Sequence, residues 1–446
     1  MDASFVDKLL INELRPALGC TEPISVAFTS SLASRHIREA GDEIDEILVD
    51  LDKNVFKNGK VVKIPAPVPM RGNLHAAPLG AIIAQPDLGL QILQGLDEET
   101  CRRALSLVEE GRVKIRLDSK PTELFVQVSI RGKKGHLVIA RCQGRHDRVV
   151  YLRVDDRVLT DTESEARADT SSLPTEKNSS INQNPVPARE LFDFLADWSP
   201  PQPIIDRLEE SMTMNLKVME AGLSGIGTGV GVKLRELGTH ECRQNLMISR
   251  CAAAVDARMA GYSLPVMSVT GSGNQGLVIF LSHRLRADLL GNSRTELYRS
   301  LIFAIHLASR IKAVSGRLSA LCGCVIAAGM ASAAGITRLE GGSWKEVEAA
   351  FHIMAADIMG ILCDGAKASC ALKVATGVNS LFRAVNLARK GFVIPPDEGI
   401  IGRTLEETMQ NIGKIANPGM IQTDVEILKI LENKSLNPLT DEMTRY

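Results

Sequence analysis

The spacing of apolar and polar residues divides the chain into stretches of different character. In residues 1–40, Leu9, Leu10 and Leu14 make a partial apolar face that Pro16 interrupts, a helical pattern. Pro23 suits the first turn of a second helix, ISVAFTSSLASRHIREA, which Gly41 closes. Residues 46–51 alternate apolar and polar, and the same period of two returns at 112–117, 124–130 and 137–141. That period belongs to strands with one buried face. Asn58-Gly59 reads as a hairpin turn between 53–57 and 60–64, and Gly132 and Gly135 mark a second turn. Residues 91–110 between these groups read as helical. Further on, helical spacing takes over: Leu297, Leu301, Ile305 and Ala308 mark one stripe, and the small-residue segment 325–335 suits helices packed backbone to backbone.

A chain of 446 residues is too long for one ordinary core. The expected fold is α+β: helices at 1–40, a small strand-rich α+β domain at 41–155, a polar linker or insertion at 156–189, and a mainly helical domain at 190–446. The stretch 160–187, TDTESEARADTSSLPTEKNSSINQNPVP, is nearly free of large apolar residues and reads as a long loop.

A net charge of -1 and 4% aromatic residues give no pull toward nucleic acid or membrane surfaces. The first residues lack a continuous apolar run of the signal-peptide kind. The apolar stretches near 266–281 and 321–336 fall short of the roughly 20 residues a spanning helix needs. We therefore expect a cytoplasmic protein with neither nucleic-acid nor membrane partners.

Cysteine changes this bland picture. Nine occur, at 20, 101, 142, 242, 251, 322, 324, 363 and 370. An odd count without an export signal argues against a disulfide framework. Cys101, Cys142, Cys242 and Cys251 read as small buried hydrophobes. Cys322, Cys324, Cys363 and Cys370 crowd together. Thiolates hold iron–sulfur clusters, and a cluster with three protein ligands leaves one iron free as a Lewis acid. Zinc is the rival metal, although its paired CxxC spacing is missing. Spacing alone leaves metal binding and simple gap-filling both open.

Two further motifs carry possible chemistry. In RPALGCTEP (15–23), Gly19 and the prolines force a bend and put Cys20 just before a helix start. The positive end of a helix dipole lowers a thiol pKa, so Cys20 reads as a reactive thiolate, a base, a ligand or an ordinary turn residue. In VTGSGNQG (269–276), a Gly-rich turn exposes N–H groups that can cradle a carboxylate; the phosphate-loop pattern is absent. A second Gly-rich run, GLSGIGTGVG (222–231), is equally ambiguous.

Together with SALCGCVIAAGMASAAG (319–335) and ILCDGAKASCALK (361–373), these motifs resemble the α-chain family of iron–sulfur L-serine dehydratases, closest to its L-cysteine desulfidase branch. The resemblance runs in order over most of the chain. It implies that the N-terminal helices dock on the helical domain, with the strand-rich unit inserted between them. It implies a [4Fe–4S] cluster held by Cys322, Cys363 and Cys370, with Cys324 a rival to Cys322. It implies a small amino-acid substrate, with Thr270, Ser272, Gly273, Asn274 and Gln275 as its binding segment, and a homodimer. The serine branch carries His where this chain has Cys20, which makes Cys20 a base or a displaceable ligand. The implied reaction is β-elimination from L-cysteine or L-serine, ending in pyruvate and ammonia. The alternatives are a non-catalytic or zinc-binding protein of the same fold, and a hydrolase pairing Cys20 with a histidine.

Overall fold

The chain opens with helix α1 (Ala3–Glu13), strand β1 (Leu14–Ala17) and helix α2 (Thr21–Glu39). The computed structural model describes residues 2–121, 123–162, 186–237, 243–396 and 398–436. Next come β2 (Ile44–Leu51), α3 (Lys53–Asn58), α4 (Gly72–Ile83), α5 (Glu98–Glu109), β3 (Val113–Leu117), β4 (Phe125–Gly132), β5 (Leu137–Gln143), β6 (Val149–Val154) and β7 (Arg157–Asp161). The strands form one mixed sheet in the order β3-β2-β4-β5-β6-β7, with only the β2–β3 pair parallel. The period of two explains its core. Val126, Val128 and Ile130 of β4 lie opposite Leu51, Val49 and Ile47 of β2 and Cys142, Ala140 and Val138 of β5, and all nine are fully buried. They pack in one cluster with Ile24, Ala27 and Phe28 of α2 and Leu79 of α4.

The remaining elements are α6 (Ala188–Asp197), α7 (Gln202–Leu223), α8 (Val230–Leu237), α9 (Arg243–Met259), β8 (Val266–Val269), α10 (Gly273–Leu290), α11 (Arg294–Ser315), α12 (Ala327–Leu339), α13 (Trp344–Ile358), α14 (Cys370–Arg389), α15 (Leu405–Lys414) and α16 (Ile421–Leu436). The molecule is thus α+β and mainly helical. Helix α10 is buried round most of its circumference and packs against α7, α9, α11 and α12. Capping boxes at Ser293/Glu296 and Ser343/Glu346 fix the starts of α11 and α13 by satisfying their first N–H groups. Among the described residues no helix is long and apolar enough to cross a membrane.

The two N-terminal helices divide between the cores. Val6 and Leu10 of α1 belong to the helical cluster; the body of α2 covers the sheet and only its first residue position, at Cys20, reaches back. Several local expectations are corrected. Residues 14–17 are strand, because β1 finds an antiparallel partner in β8, pairing Leu14 with Val269 and Ala17 with Val266. Residues 53–57 are helix, not a hairpin arm, because the Asp52 carboxylate accepts from the Asn54 and Val55 N–H groups and caps a helical turn. The helix expected from residue 91 starts at Glu98, where Asp97 caps it. Helix α4 was not legible as such. Strands β6 and β7 carry the sheet past residue 155; β7 leaves Val158 and Leu159 exposed and so shows no buried face. Residues 163–185, most of the polar stretch, lie outside the described residues.

Candidate functional site

The β1–β8 pairing carries two of the motifs to one place. Beyond Ala17, Gly19 takes a left-handed φ of +87°, which favours glycine, and turns the chain into α2 with Cys20 as its N-cap. Beyond Val269, Thr270 and Gly271 adopt φ of +53° and +81° and turn the chain into α10 with Ser272 as its N-cap. Arg258, from the Ala-rich helix α9, locks the turns together: its guanidinium donates to the Gly19 carbonyl at 2.6 Å and to Asn274 Oδ1 at 2.8 Å. Gly273 is needed under it, since a Cβ there would lie 2.5 Å from Arg258 Nε.

The cysteines of the C-terminal half arrive by a different device. Leu321 and Leu362 form an antiparallel bridge, with Cys322 N–H donating to the Ile361 carbonyl and Cys363 N–H to the Ala320 carbonyl. Cys322 and Cys363 thereby flank the bridge diagonally, and both line the cleft. Cys370 follows as the first residue of α14. Three helix starts, those of α2, α10 and α14, thus border one cleft of about 710 Å³ including its mouth, and their positive dipole ends favour an anion there.

Cys20, Ser272, Asn274 and Gln275 line this cleft, as do Cys322, Cys324, Cys363 and Cys370. Thr270 and Gly273 do not. The Thr270 hydroxyl turns inward to Gln275 Oε1 at 3.0 Å, and Gly273 lies beneath Arg258; both shape the loop rather than face the space. The Gly-rich run at 222–231 is structural, its Thr228 and Val230 N–H groups donating to the Asp256 carboxylate. Cys101, Cys142 and Cys251 are fully buried away from the cleft; Cys242 lies outside the described residues. Among the described residues no three His, Cys, Asp or Glu side chains surround a point where one metal ion would sit. The thiols Cys322, Cys324, Cys363 and Cys370 are all part of the cleft lining.

The electrostatics of Cys20 differ from the sequence expectation. Burial first, and the Glu22 carboxylate second, push its thiol well above the ordinary range, overriding the helix dipole. Its Sγ donates to Glu22 Oε2 at 2.9 Å. Burial alone would raise Glu22, yet the neighbouring His146 and the hydrogen bonds from Cys20 and Asn58 hold it below the usual carboxylate value. Asn58 Nδ2 donates to Glu22 Oε1 at 2.9 Å, and Asn58 Oδ1 lies 3.8 Å from Cys363 Sγ. A polar chain therefore runs Cys20–Glu22–Asn58–Cys363. Cys324 and Cys322 Sγ lie 3.4 Å apart, where either thiol can donate, and this contact holds Cys322 down at about 7 and pushes Cys324 up. Burial pushes Cys363 up and Cys370 up to about 11. Lys312, on the same wall, is pushed down to about 8 by burial.

Glu22, Asn58, Arg258 and Lys312 were missed in the sequence. Glu22 stood inside a motif already singled out. Arg258 had a weak signal, a lone cation in the apolar run AAAVDARMA. Asn58 and Lys312 had none, since tertiary packing alone brings them to the cleft.

The family model described as serine dehydratase alpha chain matches residues 89–429. A UPF0597 protein of Desulfatibacillum aliphaticivorans is 34% identical over 97% of this chain and 99% of its own. UPF0597 proteins of Caldanaerobacter subterraneus (34%, over 97% and 99%) and Geobacter sulfurreducens (34%, over 98% and 100%) are similarly related. The chain belongs to the serine dehydratase alpha-chain family.

Proposed function

We propose that this protein is a [4Fe–4S]-dependent lyase that removes the β-substituent of L-cysteine or L-serine. Membership of the family supports a lyase-type reaction broadly. The observation that carries the finer reading is the convergence of Cys322, Cys363 and Cys370 with Cys20 and the Ser272–Gln275 loop on one cleft. One zinc needs ligands that enclose a single ion, and among the described residues no three such side chains do so; the ligands of a cluster sit on separate irons. Cys322, Cys363 and Cys370 would hold it. When bound, a three-ligand cluster supplies an iron with a free position, a Lewis acid toward the substrate's carboxylate and leaving group.

The chain's own residues do the rest. The helix starts of α2 and α10 and the Ser272–Gln275 loop bind the substrate carboxylate. Arg258 fixes that loop against the Cys20 turn. The α-proton passes to the Cys20–Glu22 pair, whose carboxylate is the resting base and whose thiol can take the proton from Cα only as its own proton moves to Glu22 Oε2. The Cα–H electron pair becomes the new C=C bond as the Cβ–S or Cβ–O bond breaks and its electrons leave with sulfide or hydroxide. The product, 2-aminoacrylate, tautomerises and hydrolyses to pyruvate and ammonia. A positioned acid or base contributes about 10²–10⁴-fold.

The test is anaerobic reconstitution, analysis of iron and acid-labile sulfide, and a pyruvate assay over a panel of amino acids. The expected result is a brown protein with about four irons per chain and pyruvate from cysteine or serine. A colourless protein with stoichiometric zinc and no pyruvate would sink the reading and leave a metal-binding protein of the same fold.

A further inference from the structure

A second and larger cavity, of about 1390 Å³ including its mouth, lies between the sheet unit, the end of α11 and the C-terminal segment. It shares Lys312, Arg317, Leu318 and Ser319 with the reaction cleft. The two spaces therefore meet at a common wall, the end of α11 and the loop after it.

That wall holds a buried ammonium whose nearest acidic groups are the thiols Cys363, Cys322 and Cys324 on the cleft side. Lys312 is 5% exposed, and among the described residues it has no hydrogen bond or ion pair to a carboxylate. A buried ammonium without a partner is costly, so an anion is the group its setting lacks. The same cavity is lined by Glu13, 2% exposed. Its Oε1 accepts from the Ser309 hydroxyl at 3.0 Å, but Oε2 accepts no hydrogen bond and stands 3.6 Å from Arg317. One cavity thus offers an ammonium with no carboxylate partner and a carboxylate oxygen paired with Arg317 but accepting no hydrogen bond.

We propose that this larger cavity binds an α-amino acid as its zwitterion, carboxylate toward Lys312 and ammonium toward Glu13, and passes it to the reaction cleft across the wall they share. The binding site stands on the geometry above; its use as a passage rests on the lyase reading.

The probe is L-alanine, which has both charged groups and no β-substituent to lose. It is titrated calorimetrically into the full chain prepared anaerobically, with iron measured on the same sample. Wild type should bind L-alanine at the larger cavity, and Lys312→Met and Glu13→Gln should each weaken that site about tenfold or more, the loss of one charge-assisted hydrogen bond. Ser119→Trp and Ala313→Phe fill the larger cavity from opposite sides without lining the cleft; Ser119 is exposed, so that variant tests the site even where Ala313→Phe fails to fold. Both should remove the site, keep the iron, and raise KM for the reacting amino acid with kcat held. Unchanged alanine binding in the filled variants would overturn the proposal. So would loss of iron in Lys312→Met, which would make Lys312 a partner of the thiols, or pyruvate binding as tightly as alanine and indifferent to Glu13→Gln, which would make the ligand a simple carboxylate. If no cluster forms and no pyruvate appears, the titration still decides the site; if turnover stands and the titration fails, only the second site falls.

Discussion

Cys20 Sγ and Glu22 Oε2 stand 2.9 Å apart, thiol donating and carboxylate accepting. Burial raises the thiol while His146 and two hydrogen bonds lower the carboxylate, so the resting pair holds its proton on sulfur. A base must give that proton up, and Glu22 is the acceptor in place. Glu22→Gln keeps the hydrogen-bonding shape and removes the acceptor. Both Glu22→Gln and Cys20→Ala should lose about 10²–10⁴-fold in kcat while iron and sulfide stay at wild-type levels. Loss of iron in Cys20→Ala would instead make Cys20 a ligand. Normal turnover in both variants would remove the pair from the reaction.

The thiols predict a graded pattern of iron loss. Cys322 and Cys363 are fixed by the Leu321–Leu362 bridge and Cys370 by the start of α14. Replacing any of the three by Ser should abolish cluster assembly, whereas Cys251→Ser, buried in the helical core far from the cleft, should leave iron unchanged. Cys324→Ser should be milder than Cys322→Ser. The reverse order, read by iron analysis after anaerobic reconstitution, would transfer the ligand role to Cys324.

Two glycines of the 269–276 loop separate site geometry from stability. An alanine at Gly273 would press on Arg258, whose guanidinium joins the Gly19 carbonyl to Asn274. An alanine at Gly276 would drive into the Met267 carbonyl, where α10 packs on β8. Gly273→Ala should therefore cut kcat/KM by about tenfold or more with little change in the urea midpoint. Gly276→Ala should cost about 1–3 kcal/mol of stability, the usual penalty of overpacking. Equal effects of both on stability would deny the loop its positioning role.

What the sequence made legible was what repeats locally. The period of two at 46–51, 124–130 and 137–141 placed three strands whose inward residues match in register, as Val128 does with Val49 and Ala140. The helical spacing of Leu297, Leu301 and Ile305 placed α11. What stayed hidden depends on partners remote in the chain. Leu14–Ala17 is a strand only because Val266–Val269 pairs with it. At 53–58 two local signals competed, Asn58-Gly59 for a turn and Asp52 for a helix cap, and the cap won because Asp52 also accepts from the Phe125 N–H of β4. In the cleft, the cysteines were visible as a cluster in sequence, while Asn58 from the sheet unit and Lys312 from α11 reach them only through packing. Cys20 was placed correctly at a helix start, but its pKa direction was not legible, since desolvation and Glu22 outweigh a dipole worth at most about 2 kcal/mol.

Buried histidines give the chain a predictable sensitivity to acid. His283 is fully buried on α10; one ring nitrogen bonds the Ile279 carbonyl at 2.8 Å, and the other has no partner and rests against Gly335. Burial pushes its pKa down to about 4, whereas in the unfolded chain it takes a proton near about 6.5. His306 on α11 is likewise pushed down to about 4 by burial. Between those two values the unfolded state binds protons that the folded state refuses. Stability is therefore whole above about pH 6.5 and drains away as pH falls toward 4. At pH 5 the loss from His283 alone is about 2 kcal/mol. His283→Gln removes the titration, whatever it costs in packing at neutral pH. Urea unfolding at pH 7 and pH 5 should show the variant losing about 2 kcal/mol less than wild type between the two conditions, and His283→Gln with His306→Gln should shrink the drop further. Identical pH 7 to pH 5 losses in wild type and both variants would mean that these rings do not stay neutral in the folded protein, and would place the acid sensitivity with other groups.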